Sequence, residues 1–161
     1  MPLDTFDKFA LTFLVVAGAA GAYRMYQSVL AERRFRRFLR EHNFRKAPPA
    51  STMWLARVYE DAYALHSLGE WDGLPVEIRR NHRRSGTSTT IVVTADTELV
   101  PASSGNVTIG PWTNPAPPAM LQHGLVASGR ELRLGIGDPP DLAAYIAATV
   151  AYARALARGA Q

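Results

Sequence analysis

The chain contains no cysteine. That removes disulfides, thiolate nucleophiles and cysteine-ligated zinc or iron–sulfur centres, and it leaves the redox compartment open. The four histidines, His42, His66, His82 and His123, stand far apart and lack the two-His or His–carboxylate spacing of a metal-binding helix. Loops that cradle phosphate are missing too. Gly135-Ile136-Gly137-Asp138 precedes a helical pattern but has no third glycine, and Pro139-Pro140 removes two of the amide donors a phosphate would need. Ser103-Ser104-Gly105 lacks the glycine ahead of the serine that a nucleophile elbow requires. Asp61, Glu70, Asp72, Asp96 and Glu98 are available as acids or bases, yet no spacing selects a pair. The expectation is a non-catalytic chain with no cofactor, no metal and no small-molecule substrate.

What the chain does have is an apolar run. Phe9 to Tyr23, FALTFLVVAGAAGAY, carries no charge. It is shorter than the roughly 20 residues a bilayer asks for, but Phe6, Met25 and Tyr26 extend it, and Lys8 and Arg24 can bury their stems while their charges reach the headgroups. A helix from Phe6 to Tyr26 would rise about 30 Å, enough to cross. Tyr23 and Tyr26 fall where an interfacial aromatic belt belongs. Ala20-Gly21-Ala22 imitates a signal-peptide cleavage site, but such a peptide wants a positive leader, and Asp4 and Asp7 stand beside Lys8 here. A buried helix of a soluble domain would fit the length but leave the adjoining charge unexplained. A single transmembrane helix is therefore expected.

That charge is concentrated. From Arg24 to Lys46 stand eight basic residues, Arg24, Arg33, Arg34, Arg36, Arg37, Arg40, Arg45 and Lys46, against Glu32 and Glu41, a net of 8 − 2 = +6. The whole chain carries +4, so the other residues net 4 − 6 = −2. A pI near 9.8 thus reflects a local collar, and anionic lipid headgroups are a better counter-charge than nucleic acid, which is not expected as a partner. Arg24, Arg33, Arg34, Arg36, Arg37 and Arg40 are the candidate headgroup contacts. With only Lys8 ahead of the span, the positive-inside rule places the N-terminus outside and the rest in the cytoplasm. Arg- and Ala-rich usage matches a GC-rich bacterial genome, so the compartment expected is the bacterial inner membrane, with a periplasmic N-terminus.

Ala17, Gly18, Gly21 and Ala22 repeat at four-residue spacing, the arrangement that lets another transmembrane helix approach closely. Other transmembrane subunits are the partners this implies. Beyond the span, Tyr26, Val29, Leu30, Phe35, Phe38, Leu39 and His42 recur at spacings of three and four, so the helix is expected to continue to about Asn43 with these residues on one face.

Residues 1–45 thus form a transmembrane helix running into a basic juxtamembrane helix, residues 46–51 a Pro-rich linker stopped by Pro48-Pro49, and residues 52–161 a soluble domain. A short helix is expected around Trp54 to Ala62. Asp72-Gly73 is the favoured pair for a two-residue hairpin, and strands are expected over 63–71, 74–83 and 87–97, with a second turn at Ser85-Gly86 and Pro75 at a strand start or edge. Residues 101–120 read as loop, apart from a short strand near Asn106 to Ile109, and Trp112 is expected to fold back onto the sheet. Asn106-Val107-Thr108 matches a glycosylation acceptor that would be silent in the cytoplasm. A second hairpin spans Leu121 to Ala127 and Glu131 to Ile136, turned at Ser128-Gly129. Asp138 is expected to cap the final helix, which Gly159 ends, with Leu142, Tyr145, Ile146, Thr149, Val150, Ala153 and Leu156 facing the sheet.

The fold class is α+β: one N-terminal transmembrane helix, then an antiparallel sheet of about five strands with the C-terminal helix packed on it. The functional expectation is an accessory or scaffold subunit of a larger integral-membrane complex. The alternative is a membrane-tethered lipid- or ligand-sensing domain.

Overall fold

A computed structural model of the chain describes residues 5–48, 64–83 and 86–159. The expected helix around residues 54–62 and most of the Pro-rich linker lie outside them. The chain divides into two compact units, Met1–His42 and Asn43–Gln161.

The first unit is one helix, α1 (Thr5–Glu41), unbroken over 37 residues. Its sequence holds no proline, so every turn past the first can close its backbone hydrogen bonds. His42 N–H still donates to Phe38 O at 3.1 Å, and Asn43 then takes a positive φ of 57°. Asn is one of the few non-glycine residues that tolerate this left-handed cap conformation.

The second unit is a seven-stranded antiparallel sheet with a helix on one face. Its strands are β1 (Arg45–Lys46), β2 (Ala64–Trp71), β3 (Leu74–Arg83), β4 (Gly86–Thr94), β5 (Val107–Thr108), β6 (Leu125–Ser128) and β7 (Glu131–Ile136), followed by α2 (Leu142–Gly159). The strand order is β1-β2-β3-β4-β7-β6-β5. The α+β class is as the sequence implies, with seven strands where about five are expected: β5 falls at the short strand expected near Asn106 to Ile109, and one further two-residue strand is added. That strand is β1. Arg45 and Lys46, assigned to the helix end and the linker, pair with Leu68 and Ser67, and Ala47 N–H adds a bond to His66 O at 2.8 Å.

The β2–β3 hairpin turns at Asp72-Gly73, where both residues have positive φ, 49° and 80°, as a type I′ turn demands. The β6–β7 turn falls at Gly129-Arg130, one residue later than expected, because Ser128 pairs with Glu131. Leu121 is not in β6. It closes a 3₁₀ turn, Ala119–Leu121.

Alternation along the strands sorts the two faces of the sheet. Register places Ile78, Ile91, Leu134 and Leu125 in one cross-strand row and Val76, Val93, Leu132 and Ala127 in the next, all of them buried. α2 covers this face with Ile146, Thr149, Val150, Tyr152 and Ala153. Tyr145, expected in that set, is half-buried, and Tyr152 takes its place and donates its hydroxyl to Pro115 O at 2.8 Å. Burial pushes the Tyr152 phenol up.

The helix cap also differs from expectation. Ala144 N–H donates to Asp141 Oδ1 at 3.0 Å, so Asp141 caps α2, not Asp138. The reason lies in the two prolines. Pro140 disfavours a helical backbone at Pro139, so the first turn is delayed past both.

At the edge of the sheet, Phe44 seats its ring against Gly69. A Cβ there would stand 2.6 Å from the ring, so the missing side chain makes the seat.

Candidate functional site: an exposed apolar helix and its arginines

α1 is the one helix, among the described residues, that is long and apolar enough to cross a membrane, and none of its apolar window is buried. Phe9, Leu11, Phe13, Leu14, Val15 and Val16 are all more than half exposed. Ala17, Gly18, Gly21 and Ala22 follow, also exposed. At about 100° per residue they occupy an arc of about 140° on one side of the helix. A Cβ added at Gly18 or Gly21 would meet nothing within 4 Å, so the arc is open to another surface.

The six arginines are exposed but do not form one set. Arg33, Arg36, Arg37 and Arg40 share an arc of about 100°, and Arg34 stands about 60° beyond it. Arg24 points to the opposite side and lies nine residues, about 14 Å, nearer the apolar run. Arg36 is held by Glu32 at 2.6 Å, one turn back. Phe35 is buried, with Phe38 and Leu39 half-buried beside it, whereas Tyr26 and Val29 are exposed. The single face expected over residues 26–42 is therefore split. Six residues separate Val29 from Phe35, and the helix turns about 240° in that distance.

In the second unit, the sheet face away from α2 carries a charged cluster. His66 Nε2 lies 2.5 Å from Glu77 Oε1, and Arg79 donates to the same carboxylate oxygen. Partial burial alone would push the Glu77 carboxyl up, but Arg79, then His66, hold it below the ordinary glutamate range. The same contact keeps Arg79 more firmly charged. Two strands away Glu131 pairs with Arg133 at 2.5 Å. These partners alternate along β2, β3 and β7, a signal visible in the strand pattern but not tied to chemistry by spacing.

On the other face a cleft of about 480 Å³ opens between the start of β3, the end of β4 and the last turns of α2, lined by Leu74, Ala95, Asp96, Thr97, Arg154 and Arg158. Arg154 is already committed to Asp72 O, and Arg158 Nε to Arg154 O at 3.4 Å. The cleft brings together two guanidiniums, a carboxylate and a hydroxyl, but no nucleophile with an adjoining base. Among the described residues no three His, Asp or Glu side chains converge as metal ligands would. His42 stacks at 4.5 Å on Phe38, and His123 is exposed.

Trp112, expected against the sheet, is 81% exposed. The prolines and glycines around it correctly mark a loop, but nothing in their order says which way the indole faces.

No family model, no curated protein and no solved structure matches this chain. Its architecture makes it an α+β protein with one N-terminal helix able, by length and composition, to cross a membrane.

Proposed function

We propose that the chain is a non-catalytic accessory or scaffold subunit of a larger integral-membrane complex, with α1 as a single-pass anchor and the α+β unit on the cytoplasmic side. The observation that carries this reading is the exposure of Phe9, Leu11, Phe13, Leu14, Val15 and Val16 on a helix that satisfies its own backbone. In water such an apolar surface drives association, and hydrocarbon or neighbouring helices would relieve it. The arginines beyond the span support a cytoplasmic C-terminal side by the positive-inside rule. The small-residue arc of Ala17, Gly18, Gly21 and Ala22 offers a neighbouring helix a close approach. The bacterial inner membrane, with a periplasmic N-terminus, suits this arrangement, and energy-transducing complexes are one kind of host.

The full chain, expressed in a bacterial host and extracted in mild detergent, is expected in the membrane fraction and in company with other membrane subunits. Recovery in the soluble fraction overturns the anchor. A detergent-extracted monomer without partners overturns the subunit role.

The arc of Arg33, Arg36, Arg37 and Arg40 favours one second reading, a tethered lipid-sensing domain. On that reading the reconstituted full chain distinguishes anionic from zwitterionic vesicles in a salt-sensitive way, and indifference to lipid charge removes it.

A further inference from the structure

We propose that the loop from Gly110 to Met120 is a second membrane contact of this chain, with the Trp112 indole as its interfacial anchor. The inference rests on the reading that α1 holds the chain at a bilayer.

Three observations carry it. Trp112 is 81% exposed, more than any large apolar residue from Phe9 to the end of α1, where the greatest exposure is 72%. An indole left this far out on a folded loop is not serving the core.

Its platform is held in place. The ring lies over Gly110, where a Cβ would clash with it, and Thr113 N–H donates to Gly110 O at 3.0 Å. Tyr152 ties Pro115 O to α2, Leu121 N–H closes on Pro118 O at 2.8 Å, and Pro117 is buried. The tryptophan is thus presented by an ordered support, so its insertion sacrifices little conformational freedom.

The loop itself is uncharged. From Leu99 through Gly129 the sequence holds no Asp, Glu, Lys or Arg, and Met120 adds a partly exposed apolar side chain beside the turn. Bringing the loop's own residues into the headgroup layer desolvates no full charge. The same neutrality offers a protein partner no charge to complement, whereas an indole, apolar with one N–H donor, suits the interfacial zone of a bilayer. Tethering through α1 raises the local concentration of that bilayer, so a contact too weak to bind alone suffices.

The test uses the full chain reconstituted into phosphatidylcholine vesicles with Trp54→Phe and Trp71→Phe, which leaves Trp112 as the sole tryptophan. Blue-shifted emission, with more than half of it lost when the acyl chains carry bromine near the headgroup and less loss with deep bromine, is the expected result. A water-like emission maximum without bromine quenching overturns the proposal. So does a blue shift without quenching, which would place the indole against protein, either a second copy or another subunit. Should the double substitution fail to fold, the wild-type spectrum minus that of Trp112→Phe reads the same quantity. A chain that floats free of the vesicles overturns the anchor reading as well, whereas a retained chain with an unquenched indole overturns the loop contact alone.

Discussion

Arg80 donates from Nη2 to Asp138 Oδ1 across 2.7 Å, although the Arg80 side chain is only 2% exposed. It stands on the inward face of β3, in register with Thr89 and Ile136, while Asp138 is half exposed where the chain enters α2. The pair therefore runs from the core to solvent. Removing Asp138 takes a charged acceptor away from a buried guanidinium, a loss that costs most when both partners are buried. Asp138→Ala is expected to destabilise the domain by roughly 2 kcal/mol, below the range for fully buried pairs because Asp138 is part-exposed. Denaturant unfolding of the detergent-solubilised chain, followed by tryptophan fluorescence, measures it, and an unchanged midpoint refutes it.

Thr89 is buried beside Arg80, and its hydroxyl has no hydrogen-bond partner among the described residues. A buried polar atom without a partner carries its desolvation penalty uncompensated. Thr89→Val keeps the branched shape that strands favour and is expected to raise stability by about 1 kcal/mol. A lowered Tm would show that the hydroxyl is bonded in solution.

Phe44 and Gly69 form one seat, so their substitutions should couple. Gly69→Ala forces the ring away and is expected to cost about 1–3 kcal/mol. Phe44→Ala removes the ring and is expected to cost about 3 kcal/mol, the low end of the range for a core phenylalanine. The double variant should lose less than the sum, since the ring atoms a methyl at residue 69 would meet first are then gone. Strict additivity in a double-mutant cycle would contradict the contact.

Glu77 sets an acid limb. Its carboxyl is held low by Arg79 and His66 in the fold, so its contribution is present above the ordinary, unfolded value near 4.5 and is lost as pH falls through the lower folded value. Below about pH 5 the wild-type chain should therefore lose stability more steeply than Glu77→Gln, which has no carboxylate to protonate. Parallel stability–pH curves for the two proteins would rule out the pairing.

If α1 packs on another transmembrane helix through its small-residue arc, bulk there should separate anchoring from assembly. Gly18→Ile with Gly21→Ile is expected to stay in the membrane fraction and to lose the co-purifying subunits, because backbone approach is blocked while apolarity is kept. Retention of every partner would move the interface elsewhere.

Several of these features are readable along the chain. The uncharged run from Phe9 to Tyr23, the absence of proline from α1 and the stop at Asn43 follow from local chemistry. So does the hairpin at Asp72-Gly73, since few other pairs accept two positive φ angles in succession. The alternation Val76, Ile78, Arg80 even places the arginine on the inward side, although an isolated strand gives no hint of a partner 58 residues away. The grouping of the arginines was less legible. Spacings of three and four relate near neighbours, but helical phase drifts over longer intervals, and Arg24 and Val29 end up away from the groups they were matched with.

Local residue choice thus determined the two long helices, the longer strands and the Asp72-Gly73 turn, and it marked the apolar helix with its basic border, because these depend on side-chain periodicity and backbone preference over a few residues. Only tertiary structure decided the rest. β4 pairs with β7 across two intervening strands, two-residue β1 exists because β2 offers it an edge, Asp138 leaves the helix cap to Asp141 and turns to Arg80, and Trp112 faces outward. Each depends on which distant group occupies the neighbouring space, and a window of sequence does not contain that information.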